Sequence, residues 1–274
     1  MKLPIALPAA LVAALITTLT GLPAQSQDGH GTPVTSEVLQ GWDLPDGRRV
    51  AALRLTLAPG WKTYWRSPGD AGIPPAFDWS RARNLNHVAI TWPTPSVYEQ
   101  YGMRSIGYSG QVVIPLHVTP KRSGKPVRLH GKMALGVCEE VCIPYEIDFD
   151  SWLDTPDPSP TPAIVAAMAD VPYSASEADV VAATCQLRPL DDGMEIEARV
   201  TLPHTGGTEV AVIETGTPGL WISEAETTRQ GNTLIAVSQM MHHSGAAFGI
   251  DRSDVRITIL GGNYAVDVKG CTAG

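Results

Sequence analysis

Two cysteines four positions apart, Cys138 and Cys142, are the residues of this chain best suited to redox chemistry. If the chain turns between them, their Cα atoms come close enough for a disulfide. Such a bridge closes a very short loop and adds little stability. At the end of a strand it is easy for another dithiol protein to reach and to reduce. We therefore interpret the pair first as a redox site, with a small structural bridge as the alternative.

The residues between the two cysteines are acidic, Glu139 and Glu140. Nearby negative charge disfavours a thiolate and raises the pKa of a thiol. The pair therefore does not have the acidified thiol of a strong oxidant. We expect a thiol that works when docked to a partner that supplies the reactive thiolate or activates this one.

A soft-metal site is the rival interpretation of the pair. His117 and His130 lie nearby in the sequence, but each occurs in an alternating, strand-like segment. The run Met240-Met-His-His243 offers thioether and imidazole groups that suit copper. Consecutive residues of a strand point to opposite faces, so at most one Met and one His share a side. We attribute this cluster to chance and expect neither a metal site nor a cofactor.

The other two cysteines, Cys185 and Cys271, bracket the last part of the chain. Four cysteines in an exported protein suggest two bridges. Joining this pair closes a long loop, which the chain-entropy model values at roughly 4–5 kcal/mol, less any strain. We predict a structural disulfide between Cys185 and Cys271.

Export is indicated by the first residues of the chain. Lys2 precedes an apolar run, and small residues follow near Ala24 and Ser26. This order is typical of a secretory signal peptide over residues 1–26, with a retained anchor as the alternative. Later segments do not approach 18 consecutive apolar residues, so we expect a soluble, exported mature chain without a membrane span. Oxidising compartments of this kind favour disulfides.

Charge and composition exclude some classes of protein. The formal net charge is −8, and loss of Lys2 with the signal peptide makes it −9, which argues against a nucleic-acid binder. The chain has 26 Gly and 23 Pro, and its apolar runs are short and rich in Val, Ile and Thr, which favours β structure. We find neither a Gly-rich phosphate loop nor a nucleophile elbow, so a dinucleotide-binding fold is not expected.

The pattern of short strands predicts an all-β protein with two β-sandwich domains in tandem. The first is expected over residues 34–153 and the second over 175–274. Between them, a Pro-rich linker is predicted over 154–174, because alternating prolines cannot pair in a sheet. A short helix is expected within it, from Ala163 to Asp170.

Several motifs of the first domain resemble the N-terminal periplasmic domain of the thiol:disulfide interchange protein DsbD family, and within it the ScsB-like branch associated with copper tolerance. The similarity covers roughly residues 37–152. The motifs are Gly60-Trp-Lys-Thr-Tyr-Trp-Arg-Ser-Pro-Gly-Asp-Ala-Gly-Ile-Pro-Pro75, Trp92-Pro93, Tyr101-Gly102, Gly107-Tyr108, Val112-Val-Ile-Pro-Leu116 and Val137-Cys-Glu-Glu-Val-Cys-Ile-Pro144.

The resemblance implies an immunoglobulin-like fold and a role as a protein-disulfide reductase component. A CcdA-like or DsbD-type membrane protein would reduce the cysteine pair, which would then reduce periplasmic thioredoxin-fold proteins. By motif position, Cys142 would form the mixed disulfide and Cys138 would resolve it. A cap loop that shields the pair would consist of Tyr98, Glu99, Gln100, Tyr101 and Gly102.

This chain departs from the family pattern at two places in the site. DsbD has five residues between its cysteines, whereas this chain has three, and the cap aromatic of DsbD falls on Gln100, which leaves Tyr98 or Tyr101 to shield the pair. Counterparts of the membrane and thioredoxin-like domains do not occur in this sequence, so we expect donor and acceptors to be separate proteins. The alternative function is a non-enzymatic interaction or copper-handling module whose cysteine pair is structural or binds a soft metal.

Overall fold

The computed structural model describes residues 31–69, 72–100, 102–154 and 159–274. The predicted signal peptide, residues 1–26, lies outside the described residues, as does Tyr101 of the predicted cap. Within the described part of the chain, the helices are too short or too polar to cross a membrane.

The first part of the chain forms two antiparallel sheets that pack face to face. Its strands are β1 (Val34–Asp43), β2 (Arg49–Leu57), β3 (Lys62–Tyr64), β4 (Ala76–Asp78), β5 (Leu85–Ile90), β6 (Ser96–Gln100), β7 (Met103–Ser109), β8 (Gln111–Pro120), β9 (Val127–Cys138) and β10 (Cys142–Leu153). One sheet has the order β1-β2-β8-β5, and the other has the order β10-β9-β3-β7-β6 with β4 beside β9.

Alternation of apolar residues places the core of this sandwich between its sheets. In β9, Val127, Leu129, Met133, Leu135 and Val137 are buried, and most of the residues between them are at least partly exposed. Strand residues of alternate positions face the same side of a sheet, so these side chains share one face. This core holds β9 in place and thereby fixes the position of Cys138 at its end.

The second part of the chain also forms two sheets. Its strands are β11 (Tyr173–Ser174), β12 (Ala182–Leu190), β13 (Gly193–Thr201), β14 (Val210–Glu214), β15 (Leu220–Ile222), β16 (Glu226–Gln230), β17 (Thr233–His242), β18 (Arg256–Leu260), β19 (Ala265–Lys269) and β20 (Thr272–Ala273). The sheet orders are β11-β19-β18-β14 and β15-β17-β13-β12-β20, with β16 beside β17. The predicted all-β architecture of two immunoglobulin-like sandwiches is confirmed.

A disulfide joins Cys185 of β12 to Cys271, which precedes β20. The two Cα atoms are 5.7 Å apart, and the Cys185 side chain is fully buried in the core of the second sandwich. Because β20 pairs with β12, the bridge fastens the last strand of the chain to the first long strand of this sandwich.

The segment predicted as a linker contains ordered structure. Helix α1 (Pro162–Ala169) begins with a proline, whose fixed φ suits the first turn of a helix. Its residue Ile164 is fully buried against Val50 and Ala52 of the first sandwich. β11 then pairs with β19 in the second sandwich, so the strands of that sandwich begin two residues before the predicted boundary at 175.

The two sandwiches share an apolar contact. Val210, Val212, Leu260 and Ala265 of the second sandwich are buried in one cluster with the core of the first. Burial of this apolar surface favours their association by the hydrophobic effect. Residues 32–274 accordingly form one compact unit.

Limited proteolysis tests the proposed domain boundary. We expect cleavage between Asp154 and Thr161, because the sequence there alternates proline with small polar residues, as linkers between domains do, whereas α1 is packed on the first sandwich. Both fragments should stay folded and co-elute in size-exclusion chromatography, with the Cys138–Cys142 pair in the N-terminal fragment. Cooperative unfolding of both halves after one cut would contradict separate domains.

A buried ion pair fastens a loop of the second sandwich. The carboxylate of Glu209, only 4% exposed, contacts Arg229 Nε and accepts a hydrogen bond from Arg229 Nη2 at 2.7 Å. It also accepts hydrogen bonds from the Thr205 amide at 2.9 Å and the Thr205 hydroxyl at 2.7 Å. Burial alone would raise the pKa of Glu209, but the hydrogen bonds from Arg229 and Thr205 outweigh it and lower the pKa to about 2.

This pKa predicts an acid-sensitive contribution to stability. A carboxyl group whose pKa falls on folding stabilises the folded state above its unfolded pKa of 4.5 and loses that effect as the pH falls toward about 2. The full effect is about 3 kcal/mol. Urea unfolding at pH 7 and pH 3 should therefore show a large gap between wild type and Glu209→Gln at pH 7 that narrows at pH 3. An equal gap at both pH values would contradict the prediction.

Candidate redox site

The cysteine pair lies at the tip of the β9–β10 hairpin. Cys138 ends β9, Cys142 begins β10, and the two are paired across the strands. Residues 139–141 form the turn between them. The two sulfurs are joined in a disulfide, with the Cα atoms 4.0 Å apart. Cys142 is exposed and Cys138 is half-buried, so the sulfur of Cys142 is the one that solvent and a partner reach more easily.

Apolar side chains surround the exposed cysteine. Val141 is 71% exposed and Ile143 is 39% exposed, and Pro144 beside them is exposed as well. Residues of this kind are normally buried, and their clustering around a reactive group marks a surface suited to protein contact. The hairpin tip therefore presents a disulfide within a small apolar patch.

Tyr64, the last residue of β3, contacts the disulfide directly. Its hydroxyl donates a hydrogen bond to Cys142 Sγ at 3.0 Å. The side chain is buried, and burial raises the pKa of the Tyr64 hydroxyl, which keeps it a neutral donor. A donor at this place stabilises the thiolate of reduced Cys142 more than the thiol, because hydrogen bonds to charged acceptors are stronger. Tyr64 therefore favours the reactive form of Cys142.

Close packing fixes the tyrosine in this position. A Cβ atom on Gly136 of β9 would lie 2.6 Å from the Tyr64 ring, so the backbone of β9 can approach the ring only because residue 136 is a glycine. The adjacent Thr63 hydroxyl donates to the Gly136 carbonyl at 2.8 Å. Substituting Gly136 with alanine would push the ring away from Cys142.

Charged groups are arranged around the hairpin tip. Lys62 of β3 pairs in register with Cys138, and its Nζ lies 4.7 Å from the centre of the Tyr98 ring, a cation–π contact. The carboxylate of Glu139 reaches Gly60, where a Cβ would lie 2.8 Å from Glu139 Oε1. Glu140 is exposed. The acidic side chains therefore do not form a uniform layer around the sulfurs, because Glu139 lies against the turn before β3.

Three of the predicted cap residues, Tyr98, Glu99 and Gln100, belong to the strand at the edge of the same sheet. Tyr98 and Glu99 belong to β6, where Tyr98 is half-buried and Glu99 pairs with Arg104 at 2.9 Å. β6 ends at Gln100, and Gly102 follows with a φ of +76° that suits a glycine. The Tyr98 ring contacts Lys62, whereas the Tyr64 hydroxyl donates a hydrogen bond to the sulfur of Cys142. The shielding role of this segment therefore stays a prediction.

The histidines weighed as metal ligands lie apart from the cysteine pair. His130 is eight positions before Cys138 in β9 and opposite Asp150, which places it roughly 25 Å along the strand. His117 belongs to β8 in the other sheet of the sandwich. Among the described residues, groups of three or more His, Cys, Asp or Glu side chains able to hold a metal ion do not occur.

Sequence reasoning did not single out Tyr64 as a site residue. The tyrosine stands in the quoted motif that begins at Gly60, yet its contact with Cys142 joins residues 78 positions apart. The available signal in the sequence was its position between Trp61 and Trp65 of the motif. The signal gave no indication of which side chain of the motif meets the disulfide.

The first sandwich thus carries a disulfide with an exposed cysteine at the tip of a β-hairpin. Residues 34–152 match the family model described as thiol:disulfide interchange protein DsbD, N-terminal. This match confirms the resemblance found in the motifs of residues 34–152. The sequence does not match any curated protein.

One solved structure extends the likeness to both sandwiches. The N-terminal periplasmic domain of ScsB from Proteus mirabilis superposes with a TM-score of 0.64 at 22% identity, over 88% of this chain and 92% of that one. This chain therefore has the fold of that domain. The N-terminal domain of DsbD from Neisseria meningitidis, in its reduced form, matches with a TM-score of 0.27 and 18% identity, over 43% of this chain and 84% of that one.

Proposed function

We propose that this chain is a periplasmic thiol–disulfide exchange protein that relays electrons through Cys138 and Cys142. The observation that carries this proposal is the disulfide at the exposed tip of a DsbD N-terminal domain, with the Tyr64 hydroxyl 3.0 Å from Cys142 Sγ. A purely structural bridge needs neither an exposed sulfur nor a hydrogen-bond donor aimed at it. Both features serve a sulfur that becomes a thiolate.

The exchange consists of two thiolate attacks. In the reduced protein, the Cys142 thiolate attacks one sulfur of a partner disulfide, forms a mixed disulfide, and releases the other partner sulfur as a thiolate. Cys138, half-buried beside it, then attacks Cys142 Sγ as a thiolate and releases the first partner sulfur. Two electrons pass to the partner, which leaves as a dithiol after taking up two protons, and the Cys138–Cys142 disulfide forms again.

A dithiol protein at the membrane is the proposed electron donor. Its thiolate attacks the exposed Cys142 sulfur, and its second thiol resolves that mixed disulfide, so that Cys138 and Cys142 leave as a dithiol. The resemblance to the family suggests a CcdA-like or DsbD-type protein for this role. Periplasmic thioredoxin-fold proteins are the proposed acceptors.

The surface around Cys142 suits such partners. Val141 and Ile143 offer apolar contact beside the sulfur, and Glu140 adds negative charge at the edge of the patch. Redox partners meet through small interfaces that release again quickly, and a patch of this size fits a transient contact. Periplasmic localisation is part of the proposal, and it is supported by the signal-like sequence of residues 1–26 and by the periplasmic domain of ScsB that shares this fold.

The reduction potential of the pair tests the proposal. We expect the Cys138–Cys142 disulfide to equilibrate with a thioredoxin-fold dithiol at a potential above about −300 mV, because structural bridges typically lie below that value. Mass spectrometry after alkylation at a series of redox poises measures it, and Cys185–Cys271 serves as an internal control that should stay oxidised. A potential well below this value, together with resistance to a thioredoxin-fold dithiol, would favour a structural bridge in an interaction module.

A further inference from the structure

Arg66 connects the redox site to the second sandwich. Its guanidinium donates to both carboxylate oxygens of Glu214 in β14, at 3.0 and 2.8 Å, and to the Thr258 hydroxyl in β18 at 3.2 Å. The side chains of Arg66 and Glu214 are 13% and 24% exposed. The guanidinium also lies 3.8 Å from the centre of the Trp65 ring. A bidentate pair of this kind holds a planar guanidinium in one orientation.

Arg66, which the ion pair with Glu214 holds in place, is two positions after Tyr64 in the sequence. Between them, Trp65 is fully buried, and its amide donates to the Ile106 carbonyl at 2.9 Å. Gly72, further along the chain, lies close to the tyrosine. A Cβ on Gly72 would lie 2.9 Å from Tyr64 Cδ1 and 2.3 Å from Pro68 Cβ, so the backbone at Gly72 packs closely on the Tyr64 ring and on Pro68.

Gly69 also lies close to the second sandwich. It has a φ of +83°, and a Cβ there would lie 2.9 Å from the Arg104 carbonyl oxygen and 3.0 Å from Glu224 Oε1 of the second sandwich. The chain after Tyr64 is therefore held to the second sandwich by the Arg66–Glu214 ion pair and approaches it again at Gly69. The opposite face of the Tyr64 ring is bounded by Gly136.

We propose that Arg66 and Glu214 are positioning residues through which the second sandwich holds the Tyr64 hydroxyl against Cys142 Sγ and so speeds the reaction of the Cys142 thiol. This inference rests on the proposed function, since it assigns the second sandwich a part in tuning the same sulfur. If the contact between the sandwiches loosens, the chain after Tyr64 shifts, water competes for the Tyr64 hydroxyl, and the Cys142 thiolate loses its donor.

The test uses the full chain with Cys138→Ala, so that Cys142 is the one reduced thiol beside the Cys185–Cys271 bridge. The pH dependence of alkylation by iodoacetamide gives the pKa of Cys142. Tyr64→Phe should raise this pKa by about one unit, the worth of a hydrogen bond to a charged group. Glu214→Gln should raise it by about half a unit and slow alkylation at pH 7 about threefold.

The sign of the Glu214→Gln shift separates positioning from direct electrostatics. Removing a negative charge, and leaving the Arg66 charge uncompensated, would by itself lower the pKa of a nearby thiol. A rise therefore requires loss of the Tyr64 contact. The charged groups on the elements around Cys142 do not change: Lys62 on β3, Glu99 on β6, and Glu139 and Glu140 in the turn. In the Tyr64→Phe background, Glu214→Gln should have no further upward effect.

Two more variants complete the design. Thr258→Val removes one hydrogen bond to Arg66 without changing any charge, and should raise the pKa of Cys142 less than Glu214→Gln does. It also keeps the test available if Glu214→Gln fails to fold. Glu209→Gln is the matched control, because it breaks a buried ion pair of the second sandwich that contacts Arg229 and Thr205 instead of the chain after Tyr64. It should leave the pKa of Cys142 unchanged.

The outcomes distinguish this inference from the proposed function. An unchanged or lowered pKa in folded Glu214→Gln and Thr258→Val, or an equal rise in Glu209→Gln, would overturn the positioning role while leaving exchange with partners intact. Conversely, the shifts can appear as stated in a protein that does not exchange disulfides with any thioredoxin-fold protein. That result would overturn the proposed function alone.

Discussion

The full chain carrying Cys138→Ala should trap a periplasmic thioredoxin-fold protein as a mixed disulfide, whereas Cys142→Ala should trap much less. Without Cys138, the bond between Cys142 and the partner cannot be resolved by the second thiol. Cys142 is also the exposed member of the pair and the one that Tyr64 contacts. If the hydrogen bond lowers the pKa of the Cys142 thiol by about one unit, the thiolate fraction and the yield differ about tenfold.

Non-reducing electrophoresis of a periplasmic extract, followed by reduction and mass spectrometry, measures the two yields. The matched control is the variant with both cysteines replaced, in which Cys185 and Cys271 are still bonded and trapping should vanish. Equal trapping by both single variants would show that the sulfurs are equivalent. If neither variant traps a protein, and the wild-type pair resists reduction by a thioredoxin-fold dithiol, thiol exchange is not the function of this site.

The strands that local patterns define could be predicted closely from the sequence. The turn residues Leu44-Pro-Asp-Gly47 separate two runs that predict strands, Val34 to Trp42 and Arg49 to Leu57, and β1 and β2 match these bounds within one residue. Gly47 has a φ of +85°, which a glycine at a turn supplies. Alternation and turn chemistry act over a few residues, so they can be recognised without knowledge of the rest of the fold.

Contacts between distant segments could not be predicted in the same way. Tyr64 and Cys142 are 78 positions apart, and Arg66 and Glu214 are 148 apart. Such pairs form only when β3, a strand of three residues, is placed between β7 and β9. A strand this short has too few positions to show an alternating pattern. The motif from Gly60 located the site, and only the fold shows that its tyrosine is the donor to the sulfur.

In the linker, helix α1 packs on the first sandwich, a contact that the local sequence pattern does not indicate. Alternating prolines predicted an extended segment, with a short helix from Ala163 to Asp170. In the structure, Ile164 of α1 is fully buried against Val50 and Ala52, so the helix forms part of the outer face of the first sandwich. Burial of this side chain contributes about 2 kcal/mol to holding the helix in place. The segment therefore joins the sandwiches and also packs on one of them.

Replacing both Cys185 and Cys271 with alanine should lower the free energy of unfolding by about 4–5 kcal/mol, the chain-entropy value for so long a loop. Cys185 is fully buried, and the bridge ties β20 to β12, so the unfolded chain gains the freedom that the bridge removes. Replacing Cys138 and Cys142 instead should cost only about 2 kcal/mol, since that loop is very short. Urea unfolding of the two double variants measures the contrast.

The same two variants separate structure from function. With Cys185 and Cys271 replaced, the exchange rate of Cys138–Cys142 with a thioredoxin-fold dithiol should change little at temperatures where the chain stays folded, because the bridge lies in the core of the second sandwich. Equal losses of stability in both variants would contradict a dependence on loop length. Loop length therefore predicts different contributions to stability: the 86-residue separation of Cys185 and Cys271 constrains the unfolded chain strongly, and the four-residue separation of Cys138 and Cys142 constrains it little. The weak constraint suits the exchange that we propose for Cys138 and Cys142.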